Sequence, residues 1–439
     1  EPNPNHIYMP SVFQPGKMYQ VVYRTAGSWI VGLGFAAVRD TVSFLKHAPT
    51  EAGNPCAEYI QRAHGFGRSQ SGRFLREMIY LGLNEDEEER IALDGIMPLV
   101  GGGMRGEFNL RFGQPSQDIC FTIPELFPFT DTDQTDPVTG NNGALLARAE
   151  ARNQAPKIMF INTSAEYWRG DAALIHTDLE TMTDAPESDN VRRYHYAGCQ
   201  HGPGDFPPLE IRPDGLKGQL PFNSVDYGPL LRASLESLDR WVATGEAPPD
   251  SRHPSLNDGT AVESCTLLEA FSKVPSVKVP TQNTRAIRLD YGPESHLGRS
   301  ITLPAIEGAE YPALVSNINE DCNEVGGIRL PDLTVPVATY TGWNLRHDDI
   351  GNPDLFIGVS GGLAGWTLPF PTDAKARGEA GDPRLSIAER YADRDDYLAR
   401  TRQAAEALVN EGYMLAEDIE PVVERAGTRY DYFTASART

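Results

Sequence analysis

Ser69 lies in the run Gly67-Arg68-Ser69-Gln70-Ser71-Gly72-Arg73-Phe74, with small residues two positions away on each side. A sharp strand-to-helix turn asks for that pattern: its central residue has a strained backbone, and bulky side chains at minus two and plus two would collide. The chemistry on offer is attack on a carbonyl carbon, with the acyl group then carried on the hydroxyl oxygen. Ser71 competes for the role, but its own plus-two residue is Arg73, which is not small. Ser69 is therefore the expected nucleophile, and Ser71 is read as a helix-packing residue. Phe74, Leu75, Met78 and Ile79 follow at helical spacing and predict a helix with one face under a sheet.

A serine hydroxyl is a weak nucleophile at neutral pH and needs a base, which needs an acid to fix its tautomer. Where a parallel sheet carries such a set in the order Ser, acid, His, the histidine lies in a loop beyond a late strand. His201, in Gly198-Cys199-Gln200-His201-Gly202-Pro203-Gly204, has that position. His195 falls inside the preceding strand, and His176 comes too early. Glu166 follows the apolar run 157–162 and is the leading acid, with Asp171 and Asp178 as alternatives. The N–H of Gln70 is the expected oxyanion donor. Gly101-Gly102-Gly103 follows a later strand and reads as a crowded turn. Tyr167, Trp168, Trp343 and Trp366 either line an ester pocket or fill the core.

The elements that must position these residues alternate along the chain. Strands are expected over 18–24, about 60–66, 91–100, 157–162 and 191–197. Helices are expected over 32–46 (Phe35, Val38, Val42 and Leu45 on one face) and 227–244, with Leu230, Leu231, Leu235, Leu238 and Trp241 as the latter's stripe. Gly245 is its expected C-cap and Pro248-Pro249 its stop. Strands alternating with helices predict an α/β fold, a mostly parallel sheet flanked by helices. Residues 1–249 form the expected core, with an insertion at about 105–155, and 250–439 an accessory region packed on it. That region is rich in Pro, Gly and Thr to about 335, and helical again from Ser386 to Tyr432, where Leu398, Ala405, Leu408 and Val409 share a face.

A net charge of −22 argues against nucleic acid or an anionic membrane surface as partner, and no apolar run approaches the ~20 residues of a membrane span. The five cysteines (56, 120, 199, 265 and 322) contain no C-x-x-C pair, so no zinc site is expected. Asp131 to Asp136 and Asn317 to Asn323 alternate oxygen ligands but lack the pattern of a helix-loop-helix calcium loop, and read as solvated turns. Gly358 to Gly365 carries no phosphate-loop lysine. No metal and no cofactor is expected. The polar start Glu1-Pro2-Asn3-Pro4-Asn5 is not a signal peptide and reads as the end of a processed or trimmed product, with a lean toward a secreted or periplasmic location.

The set GRSQSGRFLRE, ALDGIMPLVGGGMRGEFN, FPFTDTDQTDPVTG, NTSAEYWRGDAALIHTD, GCQHG and TGWNLR, in that order from about 18 to 425, resembles the bacterial α/β-hydrolase-domain family Abhydrolase_10. The resemblance implies the α/β-hydrolase fold and a serine esterase acting on a small-molecule ester. It maps Ser69 onto the family's SQSGR serine, Glu166 onto its EYW glutamate and His201 onto its QH histidine. A small apolar residue often stands in the family where Asp171 stands here, which favours Glu166. A more distant likeness to tannase and feruloyl esterase enzymes lacks their cysteine beside the serine, since Arg68 occupies that place, so Cys199 is expected to be a free, buried thiol. Family members carry a further N-terminal segment, whereas one strand precedes the serine strand here. A second oxyanion donor is therefore expected from an N-terminal fragment of the same precursor. An amidase, an acyltransferase or a catalytically silent binding module are the alternatives to an esterase.

Overall fold

The computed structural model describes residues 33–106, 126–281, 284–294, 304–357 and 363–435, with 3, 6–14, 19, 21, 108, 301 and 302. The strand expected over 18–24 falls, Tyr19 and Val21 apart, outside the described residues, as do Cys120 and Gly358 to Gly362.

Helix α1 (Leu33–His47) precedes the sheet, whose strands are β1 (His64–Arg68), β2 (Gly95–Leu99), β3 (Lys157–Thr163) and β4 (Val191–Tyr196). They lie side by side in chain order and every pair is parallel. Parallel neighbours need crossovers: α2 (Gln70–Tyr80) lies between β1 and β2, and α3 (Ser164–Arg169) between β3 and β4. The long helix α4 (Gly228–Thr244) follows, and the chain closes with α5 (Arg394–Asn410) and α6 (Ile419–Ala435).

The central strands β2 and β3 read as largely apolar runs because both faces of the sheet are covered there. Ile96, Ile158, Phe160 and Val191 pack on one face with Phe35 of α1 and Leu75, Met78 and Ile79 of α2. Their neighbours Met97, Leu99, Met159, Ile161, Tyr194 and Tyr196 pack on the other face with Leu230, Leu238 and Trp241 of α4. That second core continues into Val337, Phe370 and the inner faces of α5 and α6. Burial of one such side chain is worth about 1.5–3 kcal/mol, so the sheet and the C-terminal third are held by a shared apolar core.

Several expectations shift in detail. Residues 91–94 are not strand, because Asn84 captures the N–H groups of Ala92 and Leu93 while Asp94 accepts from Lys46 Nζ at 2.7 Å. Leu235 and Val38 are exposed, so the buried stripes of α4 and α1 are narrower than their periodicity implied. Gly245 caps α4 in the left-handed region with its N–H on Trp241 O. Asp131 and Asp136 are not solvated: both are buried, Asp131 against Arg193 and Asp136 held by two nitrogens of Arg288 at 2.7 and 2.8 Å.

Candidate active site

Ser69 stands between β1 and α2 with φ 58° and ψ −116°. An L-residue held at positive φ stores about 1–3 kcal/mol of strain and persists only where its surroundings fix it. Here the Ser69 N–H bonds to Leu99 O on β2 at 2.8 Å, and the Arg73 N–H to Ser69 O at 3.0 Å. A Cβ on Gly67 would lie 2.3 Å from Ser71 O, and one on Gly72 3.0 Å from both Gly67 O and Leu99 O. Gly72, not Ser71, is thus the packing residue, and Ser71 is exposed. Gln70 is the first residue of α2, so no intrahelical acceptor awaits its N–H.

Glu166 is the third residue of α3 and closes a capping box with Thr163, the last residue of β3. Its Oε2 accepts from Thr163 N at 2.8 Å and Thr163 Oγ1 at 2.7 Å, leaving Oε1 for His201 Nδ1 at 2.6 Å. Burial pushes the Glu166 carboxyl upward. The His201 charge and hydrogen bond, backed by Arg169 and Thr163, outweigh that, and its pKa lies below the ordinary value. A carboxylate only accepts, so His201 Nδ1 donates, and in the neutral ring Nε2 is then the free lone pair. Tyr227 Oη donates to His201 O at 2.9 Å and anchors the loop.

Ser69 and His201 come from the first and last strands of the sheet, three inter-strand spacings of about 4.8 Å apart. Arg68 Nη2 reaches within 2.6 Å of where a Gly202 Cβ would stand, so the end of the Arg68 side chain meets the histidine loop. Arg68, Gln200, His201 and Gly202 share one cavity of about 350 Å³ with Phe222 and Asn223. A larger cleft of about 530 Å³, under Arg240, Arg252 and Glu411, contains none of these groups.

The competing residues are engaged elsewhere. Asp171 accepts from Arg169 Nε at 2.6 Å and from the Gly103 N–H at 2.9 Å. Asp178 accepts from the N–H groups of Glu180 and Thr181 in a turn. His195 bonds to Glu324 at 2.8 Å, and His176 to Tyr167 Oη at 2.9 Å. The Gly102 N–H is bonded to Asn162 Oδ1, so the glycine run is bound by side chains. Tyr167, Trp168, Trp343 and Trp366 are buried together in an aromatic core and do not line the cavity at His201. Sequence reasoning missed Arg68 as cavity wall, Tyr227 as loop anchor and Thr163 as partner of Glu166. The T-x-x-E spacing of a capping box was a signal for the last.

Among the described residues no group of three or more His, Cys, Asp or Glu is arranged to hold a metal, and no helix is long and apolar enough to cross a membrane. Cys199 is buried, with Sγ 3.3 Å from Ala197 O. Nothing matches the chain among curated proteins or solved structures. The family model of the alpha/beta hydrolase domain, Abhydrolase_10, matches residues 7–424. With a parallel sheet flanked by helices beneath that match, the chain belongs to the α/β-hydrolase domain family and is a hydrolase.

Proposed function

We propose that this hydrolase cleaves carboxylic esters through an acyl-serine intermediate, with Ser69, His201 and Glu166 as nucleophile, base and acid. Ser69 Oγ attacks the ester carbonyl carbon while His201 Nε2 takes its proton. The carbonyl oxygen becomes an oxyanion facing the Gln70 N–H. Collapse expels the alcohol, which receives the proton from His201, and leaves the acyl group on Ser69. Water, deprotonated by the same nitrogen, then releases the acid and restores the serine. Glu166 holds the imidazole in the tautomer with Nδ1–H and stabilises its charged form.

The observation that supports this reading is the 2.6 Å bond from His201 Nδ1 to the buried Glu166, on a loop met by the end of the side chain of Arg68, the residue before Ser69. Neither metal nor organic cofactor enters the scheme. The test is labelling with a serine-directed fluorophosphonate, mapped by mass spectrometry, with ester and amide panels varied in acyl and leaving groups. Label on Ser69, lost in Ser69→Ala with a rate drop of about 10⁴- to 10⁶-fold, supports the reading, while Ser71→Ala stays active. A protein that takes no label and hydrolyses nothing is a binding module instead. Faster turnover of the amide than of the matched ester makes it an amidase.

A further inference from the structure

Glu324 is a buried carboxylate with no part in the chemistry above. Its Oε2 accepts three hydrogen bonds: from Ser164 Oγ at 2.6 Å, His195 Nε2 at 2.8 Å and the Gly198 N–H at 2.8 Å. These donors belong to the two elements that carry Glu166 and His201. Ser164 is the first residue of α3, two before Glu166. His195 is in β4, and Gly198 opens the loop that reaches His201 three residues later. One oxygen therefore ties the acid's helix to the histidine's strand and loop.

The segment that delivers this oxygen is fixed by its own hydrogen bonds. Asn319 Oδ1 accepts from the N–H groups of Asp321 and Asn323, both at 3.0 Å. Asn323 bonds in turn to Ala338 O and to the Tyr340 N–H, each at 3.0 Å. Arg390 holds Asp321 with both terminal nitrogens. The run from Asn317 to Asn323 is thus a bonded turn that presents Glu324. Just beyond it, Ile328 adds to the edge of β4, its N–H on His195 O at 2.8 Å and its carbonyl accepting from the Ala197 N–H at 3.0 Å. A Cβ on Gly327 would lie 2.4 Å from the His195 ring, and one on Gly342 2.3 Å from the Ser164 carbonyl carbon. The backbone of this region closes directly on both elements.

We infer that Glu324 is a positioning residue for the Glu166–His201 pair, acting from the C-terminal half of the chain through Ser164, His195 and Gly198. The inference rests on the roles proposed above for Ser69, His201 and Glu166. Charge-assisted bonds from a single carboxylate are short and directional. Catalytic groups need placement to within about 0.5 Å, and a 1 Å error costs on the order of 10²-fold in rate. Without the pin, α3 and the histidine loop would lose a direct tie beyond the β3–β4 ladder, and the 2.6 Å contact between Glu166 and His201 would lengthen.

The test is Glu324→Gln, which keeps the shape but removes the charge that three donors share. Ser164→Ala, which deletes one donor, is the second variant and decides the matter if Glu324→Gln does not fold. Measured on the full chain are kcat and KM for an activated ester, the pH profile of kcat/KM, and the low-field proton resonance of His201 Nδ1–H, assigned by its loss in His201→Asn. Glu324→Gln should lower kcat about 10- to 100-fold with KM within about twofold. A weaker bond to Glu166 stabilises the imidazolium less, so the acid limb should move to lower pH, by about half a unit. The low-field proton should shift upfield or broaden. Ser164→Ala should move all three readouts the same way by less. Folded variants with the parent's kcat, acid limb and proton signal would overturn the inference and leave the serine reading standing. If the parent takes no label and hydrolyses no ester, the serine reading fails, and the proton resonance alone still shows whether Glu324 holds the pair.

Discussion

Glu166 is held by groups that favour its ionised form: two donors on Thr163 and the imidazole of His201. Asp171, five residues on, is just as buried, but its oxygens are taken by Arg169 and the Gly103 N–H. The two carboxylates should therefore fail in different ways when neutralised. Glu166→Gln should lower kcat by about 10³- to 10⁴-fold with a modest loss of stability, because an amide cannot stabilise the imidazolium. Asp171→Asn leaves the Arg169 charge buried without its anion and should cost about 3–5 kcal/mol of stability. Its kcat per folded molecule should stay within about tenfold of the parent's. Active-site titration beside thermal melts separates the two effects. A larger kcat loss per folded molecule in Asp171→Asn than in Glu166→Gln would reverse the choice of acid.

At the scale of elements, the serine turn depends on two backbones packed too closely for a side chain. Gly67→Ala puts a methyl group 2.3 Å from Ser71 O and 2.8 Å from Gly72 N, both main-chain atoms that cannot swing aside. The variant should lose about 1–3 kcal/mol of stability, and moving Ser69 should lower esterase activity by about 10²-fold. Gly378, in the helix Ala374–Ala380, has nothing within 4 Å of where its Cβ would stand. Gly378→Ala should instead raise stability by about 0.5–1 kcal/mol with activity unchanged. Parallel esterase assays and denaturant titrations read both, and a fully active Gly67→Ala would show that the turn tolerates what its geometry forbids.

This contrast also marks what the chain discloses before folding. The small residues around Ser69, the apolar runs of the strands and the helical spacing after Gln70 are local, and they are legible as a turn, a sheet and a helix. A strand start is hidden in the sequence where a single side chain intervenes, as Asn84 does for residues 91–94. Asp131 and Asp136 looked like surface residues because Arg193 and Arg288 lie 62 and 152 positions away. The link from Glu324 to Ser164 spans 160 positions. No local pattern reports a partner at that distance, so candidate site residues can be proposed from local sequence while the buried groups that hold their elements cannot.

Across the whole molecule, the acid response should have two stages set by different groups. Burial holds the His176 ring well below its ordinary pKa, and neighbouring His253, Arg193 and His195 push the same way. His253, stacked on it at 3.9 Å, is lowered to about 4, mainly by burial. An unfolded chain protonates both rings below about pH 6.5, while the folded chain resists. Stability is thus full above that pH and falls with it, by about 1.4 kcal/mol per pH unit for His176 and somewhat less for the half-buried His253. Glu166 and Asp136 lie below the ordinary carboxylate value, the first mainly through His201 and the second through Arg288, both against the opposing effect of burial. Their contribution persists above the ordinary carboxylate range, about pH 4, and is lost only as pH falls further. Protonation also relieves the repulsion of a −22 surface, which works in the opposite direction but is screened beyond about 8 Å at physiological salt. Between pH 7 and 5 at 0.15 M salt or above, the histidines should therefore win, and thermal stability should fall. His176→Gln, whose amide can still bond to Tyr167, should have a flatter profile over that window than the parent. Equal slopes in the two proteins would place the early acid loss elsewhere than in this stacked pair of rings.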